Sequence, residues 1–181
     1  MYMGELVRLI LVQCTKQNLI FGGQLNEKLT TQNVIDASFV SQVEHDANGQ
    51  TDSTRNVLKE LGITDASDED CEAVKLVCSR VSTRAAHLVS AAIATILNKM
   101  RRKHTTVGVD GSVFRYHPHF ENLMKSKIAE LTLPDYSFDL MLSQDGSGVG
   151  AALVAAVAVR REKIKRTYSI DSTASVDSII K

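Results

Sequence analysis

Three glycines separated by single residues lie near the end of the sequence, at Gly146, Gly148 and Gly150. They follow an apolar segment and precede a run of alanines and valines, which predicts a turn that opens a helix. Backbone N–H groups at such a turn, together with the helix N-terminus, favour a bound phosphate. A glycine turn also lets a small-residue helix pack closely on a sheet, and this structural interpretation is compatible with the chemical one.

Two phosphate-binding patterns can be compared with this turn. The P-loop pattern requires Lys and then Ser or Thr after its last glycine, but Gly150 is followed by Ala151 and Ala152, which excludes it. The dinucleotide pattern G-x-G-x-x-A fits residues 146–151, yet it also needs a further strand and an acidic residue about 20 positions later. Asp171 stands in a weakly periodic tail, which argues against a dinucleotide-binding fold.

A second turn of the same kind occurs at Asp110, Gly111 and Ser112, directly after the β-branched segment TTVGV. The carboxyl ends of strands in α/β sheets are where ligands bind. Gly111 permits close approach of the backbone, and Ser112 offers a hydroxyl to a phosphate or a ribose. The sequence DGS is also a common structural turn, so both interpretations stay open.

The elements that position these turns are predicted from periodicity and from Gly, Pro and capping residues. Helices are predicted over about 2–17, 53–61, 67–103, 118–131 and 147–161. The third opens with a capping box at Ser67 and Asp70. Strands are predicted over TTVGVDG, SVFRYH and SFDLML, whereas residues 24–36 show little periodicity and SFVSQVEHD is a short apolar-polar segment. Residues 163–181 form a Ser/Thr-rich tail that we expect to be flexible.

The composition is that of an ordinary globular chain, with 181 residues, 44% hydrophobic and 23% charged. Its 21 basic and 21 acidic residues cancel, which argues against nucleic acid or an anionic membrane as a partner. Three cysteines without metal-ligand spacing, Cys14, Cys71 and Cys78, indicate reduced thiols and a cytoplasmic location. The apolar run at residues 9–12 is too short to span a bilayer, and we see no targeting segment.

Five blocks of the sequence support a resemblance that covers residue 2 to about residue 161. The blocks are MYMGELVRLIL, FVSQVE, STRAAHLVSAAIA, VGVDGSVFRYHPHF and SQDGSGVGAALVAAVA. In this order they resemble the C-terminal part of eukaryotic hexokinases, glucokinase included. The resemblance implies an α/β fold of the actin-like ATPase (ribonuclease-H-like) class, with residues 1–162 as a partial, C-terminal segment of the hexokinase large domain. It also implies transfer of the γ-phosphoryl group of ATP, with Mg²⁺, to the 6-hydroxyl of a hexose such as glucose, the first step of glycolysis.

The resemblance further implies which residues contact the nucleotide. One segment matches residues 37–41, a second begins at the DG turn after TTVGV, and the glycine turn belongs to the same region. The implied nucleotide-binding residues are Ala37, Ser38, Phe39, Val40, Ser41, Asp110, Gly111, Ser112, Val113, Phe114, Arg115, Tyr116, Gly146 and Gly148. The chain departs from the family's pattern at three positions, because Ala37 lacks a Thr hydroxyl, Phe114 lacks a Tyr hydroxyl, and Val149 lacks a basic side chain.

The family's catalytic Asp, its sugar-binding Lys and Asn and its first two phosphate-binding stretches match no position here. We therefore expect them upstream of Met1, and no sugar-binding or metal-binding residue is assigned. Acidic and histidine side chains elsewhere have structural explanations. A charged helix or loop face explains Glu5, Glu44 and Asp46; core or boundary packing explains His87; and helix-start packing explains His117 and His119 better than a metal pair does.

Two hypotheses of different classes remain. The chain is a segment of an active hexokinase, with ATP or ADP, Mg²⁺ and a hexose as partners. Alternatively, it is a catalytically silent nucleotide-binding or interaction module derived from a hexokinase. The enzyme hypothesis requires the catalytic Asp upstream of this chain, and under both hypotheses the isolated 181-residue segment is predicted to be inactive.

Overall fold

The structure, a computed structural model, describes residues 2–143 and 145–177. The chain divides into a larger unit, residues 1–142, and a smaller unit, residues 143–181. The helices of the larger unit are α1 (Met3–Lys16), α2 (Glu27–Thr30), α3 (Ala37–Val43), α4 (Asp52–Glu60), α5 (Asp68–Met100), α6 (Ser112–Tyr116) and α7 (Phe120–Leu131). Its strands are β1 (His104–Val109) and β2 (Ser137–Leu142), and the smaller unit contains α8 (Gly146–Asp177).

The helices predicted over 2–17, 53–61, 67–103 and 118–131 are confirmed as α1, α4, α5 and α7. The helix predicted from residue 147 is α8, which begins one residue earlier and continues to Asp177. The division of the chain near residue 162 stays a prediction.

The longest helix of the larger unit, α5, packs against two apolar clusters. Its first turn carries the predicted capping box, in which the Asp70 N–H donates to Ser67 Oγ and the Ser67 N–H donates to Asp70 Oδ2. The first cluster packs α1, α3 and α4 against the N-terminal half of α5. The second packs α6, α7 and the sheet against its C-terminal half. One continuous helix therefore supports both parts of the unit.

The strands β1 and β2 pair in parallel, in a register that runs from His104–Ser137 to Val109–Leu142. The segment between them contains α6 and α7, as the crossover of a parallel pair requires. The carboxyl ends of both strands consequently lie at one edge of the sheet, where Asp110 follows β1. Residues along the strands alternate largely between exposed and half-buried positions.

The prediction of a strand over SVFRYH is wrong, because this segment forms α6, and the described residues contain two strands. Gly111, with a φ of 153°, turns the chain after β1 in a conformation that favours glycine. Phe114 then packs in the second apolar cluster. Both a short helix and a short strand can direct one aromatic ring of a six-residue segment into the core, so the sequence pattern does not distinguish a helix from a strand here.

The segment ASFVSQV, for which no helix was predicted, forms α3. Asp36 caps this helix, since its Oδ1 accepts hydrogen bonds from the N–H groups of Ser38 at 2.9 Å and Phe39 at 3.0 Å. Gly4 of α1 lies directly against the chain before the cap. A Cβ atom at Gly4 would be 2.2 Å from the carbonyl oxygen of Ile35. Only glycine lets α1 approach the start of α3 this closely.

Candidate nucleotide-binding site

A cavity of about 260 Å³ lies between α3 and α6. The two helices are far apart in sequence, and each contains one of the segments that the resemblance assigns to a nucleotide. Five of the assigned residues line the cavity, namely Ala37, Ser38, Ser41, Ser112 and Tyr116. The fold therefore brings the two segments to one place.

The α3 wall of the cavity carries small side chains whose hydroxyls are held by the helix. Ser38 Oγ donates to Asp36 Oδ1 at 2.6 Å, and this hydrogen bond, with the backbone bonds to the same carboxylate, lowers the pKa of Asp36. Ser41 Oγ donates to the carbonyl oxygen of Ala37 at 3.0 Å. Both hydroxyl oxygens keep lone pairs with which to accept a hydrogen bond from a ligand.

The α6 wall combines an exposed hydroxyl with an exposed aromatic ring. Ser112 opens the helix after the Gly111 turn and is exposed. Tyr116 is 64% exposed, and the guanidinium carbon of Arg115 lies 5.9 Å from the centre of its ring. A cation at this distance interacts favourably with the ring face. The wall thus offers a flat surface suited to stacking against a planar group.

Two residues of the cavity were missed by the sequence analysis, Gln42 and His45. The Nδ1 atom of His45 lies 2.6 Å from the carbonyl oxygen of Ser41. Because that oxygen can only accept, Nδ1 carries the hydrogen and Nε2 is left as an acceptor. Gln42 follows Ser38 and His45 follows Ser41 by four residues, the spacing of neighbours on a helix face. That spacing would have identified both residues, had the segment been recognised as a helix.

Other assigned residues lie outside the cavity lining. Phe39, Val40 and Phe114 are buried in the apolar clusters, with 7%, 0% and 7% exposure. The remaining assigned residues of the larger unit, which are not among the cavity-lining residues, are Asp110, Gly111, Val113 and Arg115. Phe114 therefore packs into the core beneath α6, while Tyr116 lines the cavity.

Gly146 and Gly148 belong to the smaller unit, and their part in nucleotide binding stays a prediction. Within that unit, a Cβ atom at Gly148 would lie 2.6 Å from Oδ1 of Asp145. Asp145 itself adopts a left-handed conformation with a φ of 51°. A carboxylate is favourable beside the first turn of a helix, where the backbone N–H groups are unpaired. The start of α8 thus has a negative group of its own close by.

Two acidic residues expected on charged faces are more enclosed than predicted. Glu5 pairs with Arg8, whose guanidinium donates at 2.6 Å, and this bond together with the N–H of Asn33 lowers the pKa of Glu5 to about 2. Glu44 is 8% exposed, so its assignment to a charged face is wrong. Asp46 has a structural role, because its carboxylate accepts hydrogen bonds from the first turn of α4.

His117 is buried in the core, with its imidazole Nε2 3.4 Å from Oε1 of Glu44. The ring of Phe120 lies edge-on to it, with ring centres 5.9 Å apart. This agrees with the expected packing at the start of α7. Among residues 2–143 and 145–177, no group of three His, Cys, Asp or Glu side chains could hold a metal ion.

A second cavity of the larger unit, about 390 Å³, lies between the segments around Phe21 and Gly62. None of the residues assigned to the nucleotide lines it. Size alone therefore does not identify the site, and the meeting of two assigned segments favours the smaller cavity between α3 and α6.

A family model described as hexokinase matches residues 1–157 of this chain. The chain belongs to the hexokinase family. Among its relatives, hexokinase HKDC1 of Homo sapiens is 42% identical over 172 residues, an alignment that covers 92% of this chain and 18% of that protein. Hexokinase of Brugia malayi is 39% identical over 161 residues, covering 89% of this chain and 28% of that protein.

The solved structure of hexokinase from Schistosoma mansoni complexed with glucose is similar to this chain with a TM-score of 0.82. The two are 38% identical, and the match covers 87% of this chain and 36% of that chain. This similarity confirms the predicted α/β hexokinase fold of the actin-like ATPase class. The chain spans between 18% and 36% of the lengths of these hexokinase relatives.

Within the described residues, no helix combines the length and the hydropathy needed to cross a membrane.

Proposed function

We propose that this chain is the adenosine-binding part of a hexokinase that transfers the γ-phosphoryl group of ATP to the 6-hydroxyl of a hexose such as glucose. The observation that carries the proposal is the cavity between α3 and α6, at which both nucleotide-assigned segments meet. The family supports the reaction class, and the Schistosoma mansoni relative was solved complexed with glucose.

The lining of the cavity suits the adenosine end of ATP or ADP. Pockets for drug-sized ligands measure about 300–1,000 Å³, so a cavity of about 260 Å³ suits a planar base and part of its ribose. Tyr116 offers a stacking surface, and His45 Nε2 offers an acceptor for an amino group of the base. Ser38, Ser41 and Ser112 provide hydroxyls within reach of a ribose, and Ala37 leaves room because its side chain is small.

The residues of this chain bind and orient one reactant. When bound, ATP with Mg²⁺ supplies the phosphoryl group, and the transfer depends on positioning and on stabilising charge at the phosphates. The cavity between α3 and α6 fixes the base and the ribose and thereby restricts where the phosphates extend. We assign no described residue to the metal, to the sugar or to the removal of the hydroxyl proton.

A second candidate is a catalytically silent module that binds a nucleotide or a partner. The cavity between α3 and α6 supports this candidate as well, because nucleotide binding alone requires no catalytic group. Both candidates require the same cavity, but only the first requires phosphoryl transfer. We also propose a cytoplasmic location, supported by the free thiols of Cys14, Cys71 and Cys78, which are typical of reducing compartments.

Calorimetric titration of the 181-residue chain with ADP tests the site. We expect Ser112→Leu to weaken ADP binding, because a leucine at the start of α6 fills part of the cavity and the hydroxyl is lost. Ser126→Leu is the matched control, since Ser126 is exposed on α7 and does not line the cavity. An equal effect of both variants, or no binding of ADP by the unaltered chain, would contradict the proposal.

A further inference from the structure

Three polar side chains are buried together where the two apolar clusters of the larger unit meet. Glu44, Ser82 and His117 are 8%, 0% and 5% exposed. On α5, Ser82 directly follows Val81, the last member of the first cluster, and precedes Ala86, the first member of the second. Polar groups at such a depth need hydrogen-bond partners, because burying them without one is costly.

The geometry of the three side chains determines which atoms interact. Ser82 Oγ donates to Oε1 of Glu44 at 2.6 Å. The backbone N–H of His119 donates to Nδ1 of His117 at 3.3 Å, so Nδ1 is an acceptor and the ring hydrogen lies on Nε2. That Nε2 atom lies 3.4 Å from the same Oε1, beyond a well-formed hydrogen bond, and has no hydrogen-bond partner among the described residues. One carboxylate oxygen therefore faces both the serine and the histidine.

This buried cluster joins the two walls of the nucleotide cavity. Glu44 is the C-terminal cap of α3, and His117 is the C-terminal cap of α6. The cavity residues Ser41 and Tyr116 belong to the last turns of those same helices. The α6 helix has only five residues, too few to be stable alone, so its position depends on what its ends contact. Ser82 ties the carboxyl group of Glu44 to the continuous helix α5.

We propose that Glu44, Ser82 and His117 are positioning residues that hold α3 and α6 at the separation required for the adenosine end of ATP or ADP. The proposal rests on the proposed function, because it assumes that the cavity takes a nucleotide. None of the three residues lines the cavity. A preorganised cavity binds more tightly because less order has to be created on binding. Loss of the cluster therefore reduces affinity, whereas a purely structural role would reduce only stability.

Substitution of two buried serines on α5 distinguishes a positioning role from a purely structural role. Ser90, like Ser82, is fully buried on α5, and its Oγ bonds to the carbonyl oxygen of Ala86 at 2.7 Å, away from the cavity. ADP is titrated into the 181-residue chain and into its Ser82→Ala and Ser90→Ala variants, well below each melting temperature. We expect Ser82→Ala to weaken ADP binding by about fivefold or more, and Ser90→Ala to change it by less than about twofold.

The conservative substitution Glu44→Gln tests whether ADP affinity is retained when the carboxylate is replaced by an amide. Glu44→Gln keeps an oxygen that accepts from Ser82 and faces His117. Its affinity for ADP should therefore stay closer to that of the unaltered chain than the affinity of Glu44→Leu does. Nitrogen chemical shifts of the His117 ring report its tautomer directly, without any variant. We expect the ring hydrogen on Nε2. If Glu44→Leu does not fold, the ADP affinities of Ser82→Ala and Ser90→Ala and the His117 chemical shifts still test the positioning role.

The outcomes separate this inference from the proposed function. If the unaltered chain does not bind ADP, the proposed site fails, and the positioning role fails with it. If it binds ADP while Ser82→Ala and Ser90→Ala bind equally well, only the positioning role is overturned. A ring hydrogen on Nδ1 of His117 would also overturn it, because Nε2 would then direct a lone pair at the carboxylate oxygen of Glu44 and repel it.

Discussion

At the scale of single residues, the cavity depends on side-chain size as much as on hydrogen bonding. Ala37, Ser38, Ser41 and Ser112 leave space between the helices, and Tyr116 supplies the ring. Two departures from the family's pattern have different consequences in this setting. Ala37 lines the cavity, so under the proposed function the missing hydroxyl would remove a ligand contact, whereas Phe114 is buried in the core.

Ser112→Leu in the intact kinase should raise the KM for ATP more than the KM for the hexose. The physical reason is local, because leucine narrows the nucleotide cavity and leaves sugar contacts unchanged. Steady-state kinetics with each substrate varied in turn measures the two constants, and Ser126→Leu serves as the control. Equal increases in both constants would count against a nucleotide site at α6.

The sequence predicted which residues contribute to the cavity only through the resemblance to hexokinases. Periodicity does not reveal that Ser41 and Ser112 line the same cavity, because this depends on the chain's tertiary path. The burial of Glu44 and the position of His117 beside it were missed for the same reason. Their partners come from α3, α5 and α6, and no local pattern records a polar cluster assembled from three distant segments.

At the scale of elements, the long helices were predictable and the two short helices that form the site were not. The capping box of α5 is a local signal, and a helix of 33 residues gives a clear pattern. By contrast, α3 has seven residues and α6 has five. Such short helices are set by tertiary contacts rather than by propensity. For α3 the sequence did contain one local signal, the capping residue Asp36.

The close approach of α1 to the start of α3 should make Gly4 intolerant of any side chain. Gly4→Ala places a Cβ atom against the carbonyl oxygens of Ile35 and Asp36, and backbone atoms yield poorly. We expect the free energy of unfolding to fall by about 1–3 kcal/mol, as in other overpacked sites. Urea denaturation measures the loss. Gly49→Ala is the control, because Gly49 has a positive φ but open space around it, so the substitution adds backbone strain without crowding. A larger loss of unfolding free energy for Gly49→Ala than for Gly4→Ala would contradict the packing argument.

The ion pair between Glu5 and Arg8 should make stability depend on pH in the acid range. Arg8 also donates to the carbonyl oxygens of Leu29 and Thr30, so the pair braces the chain that leads into α3. The pKa of Glu5 falls from 4.5 to about 2 in the folded state. Its stabilising contribution is therefore complete above pH 4.5 and is lost as the pH falls towards 2.

Denaturation of the unaltered chain and of Glu5→Gln across this acid range checks the prediction. The difference in unfolding free energy between the two should be constant above about pH 5 and should shrink as the acid pH approaches 2. A difference that does not change with pH would mean that the carboxylate of Glu5 is not held in the ionised form by Arg8.

At the scale of the whole molecule, the chain spans a minor part of its hexokinase relatives. Efficient phosphoryl transfer needs both reactants positioned, and positioning can contribute about 7–11 kcal/mol. Under the proposed function, the residues of this chain orient only the nucleotide. In a coupled assay with saturating glucose and MgATP, we expect the 181-residue chain to show no measurable turnover. Turnover of about 1 s⁻¹ or more, within the usual range for kinases, would mean that catalytic groups lie in this chain.

Photolabelling with an azido-adenine analogue of ADP tests the central claim most directly, because it reports where the base lies. The 181-residue chain is irradiated with the analogue, digested and sequenced by mass spectrometry, with excess ADP or excess glucose as competitors. We expect the label in residues 37–45 and 112–116, with protection by ADP and none by glucose. ADP-protected label confined to other segments, such as the larger cavity around Phe21 and Gly62, would contradict the assignment of the adenosine site to the cavity between α3 and α6.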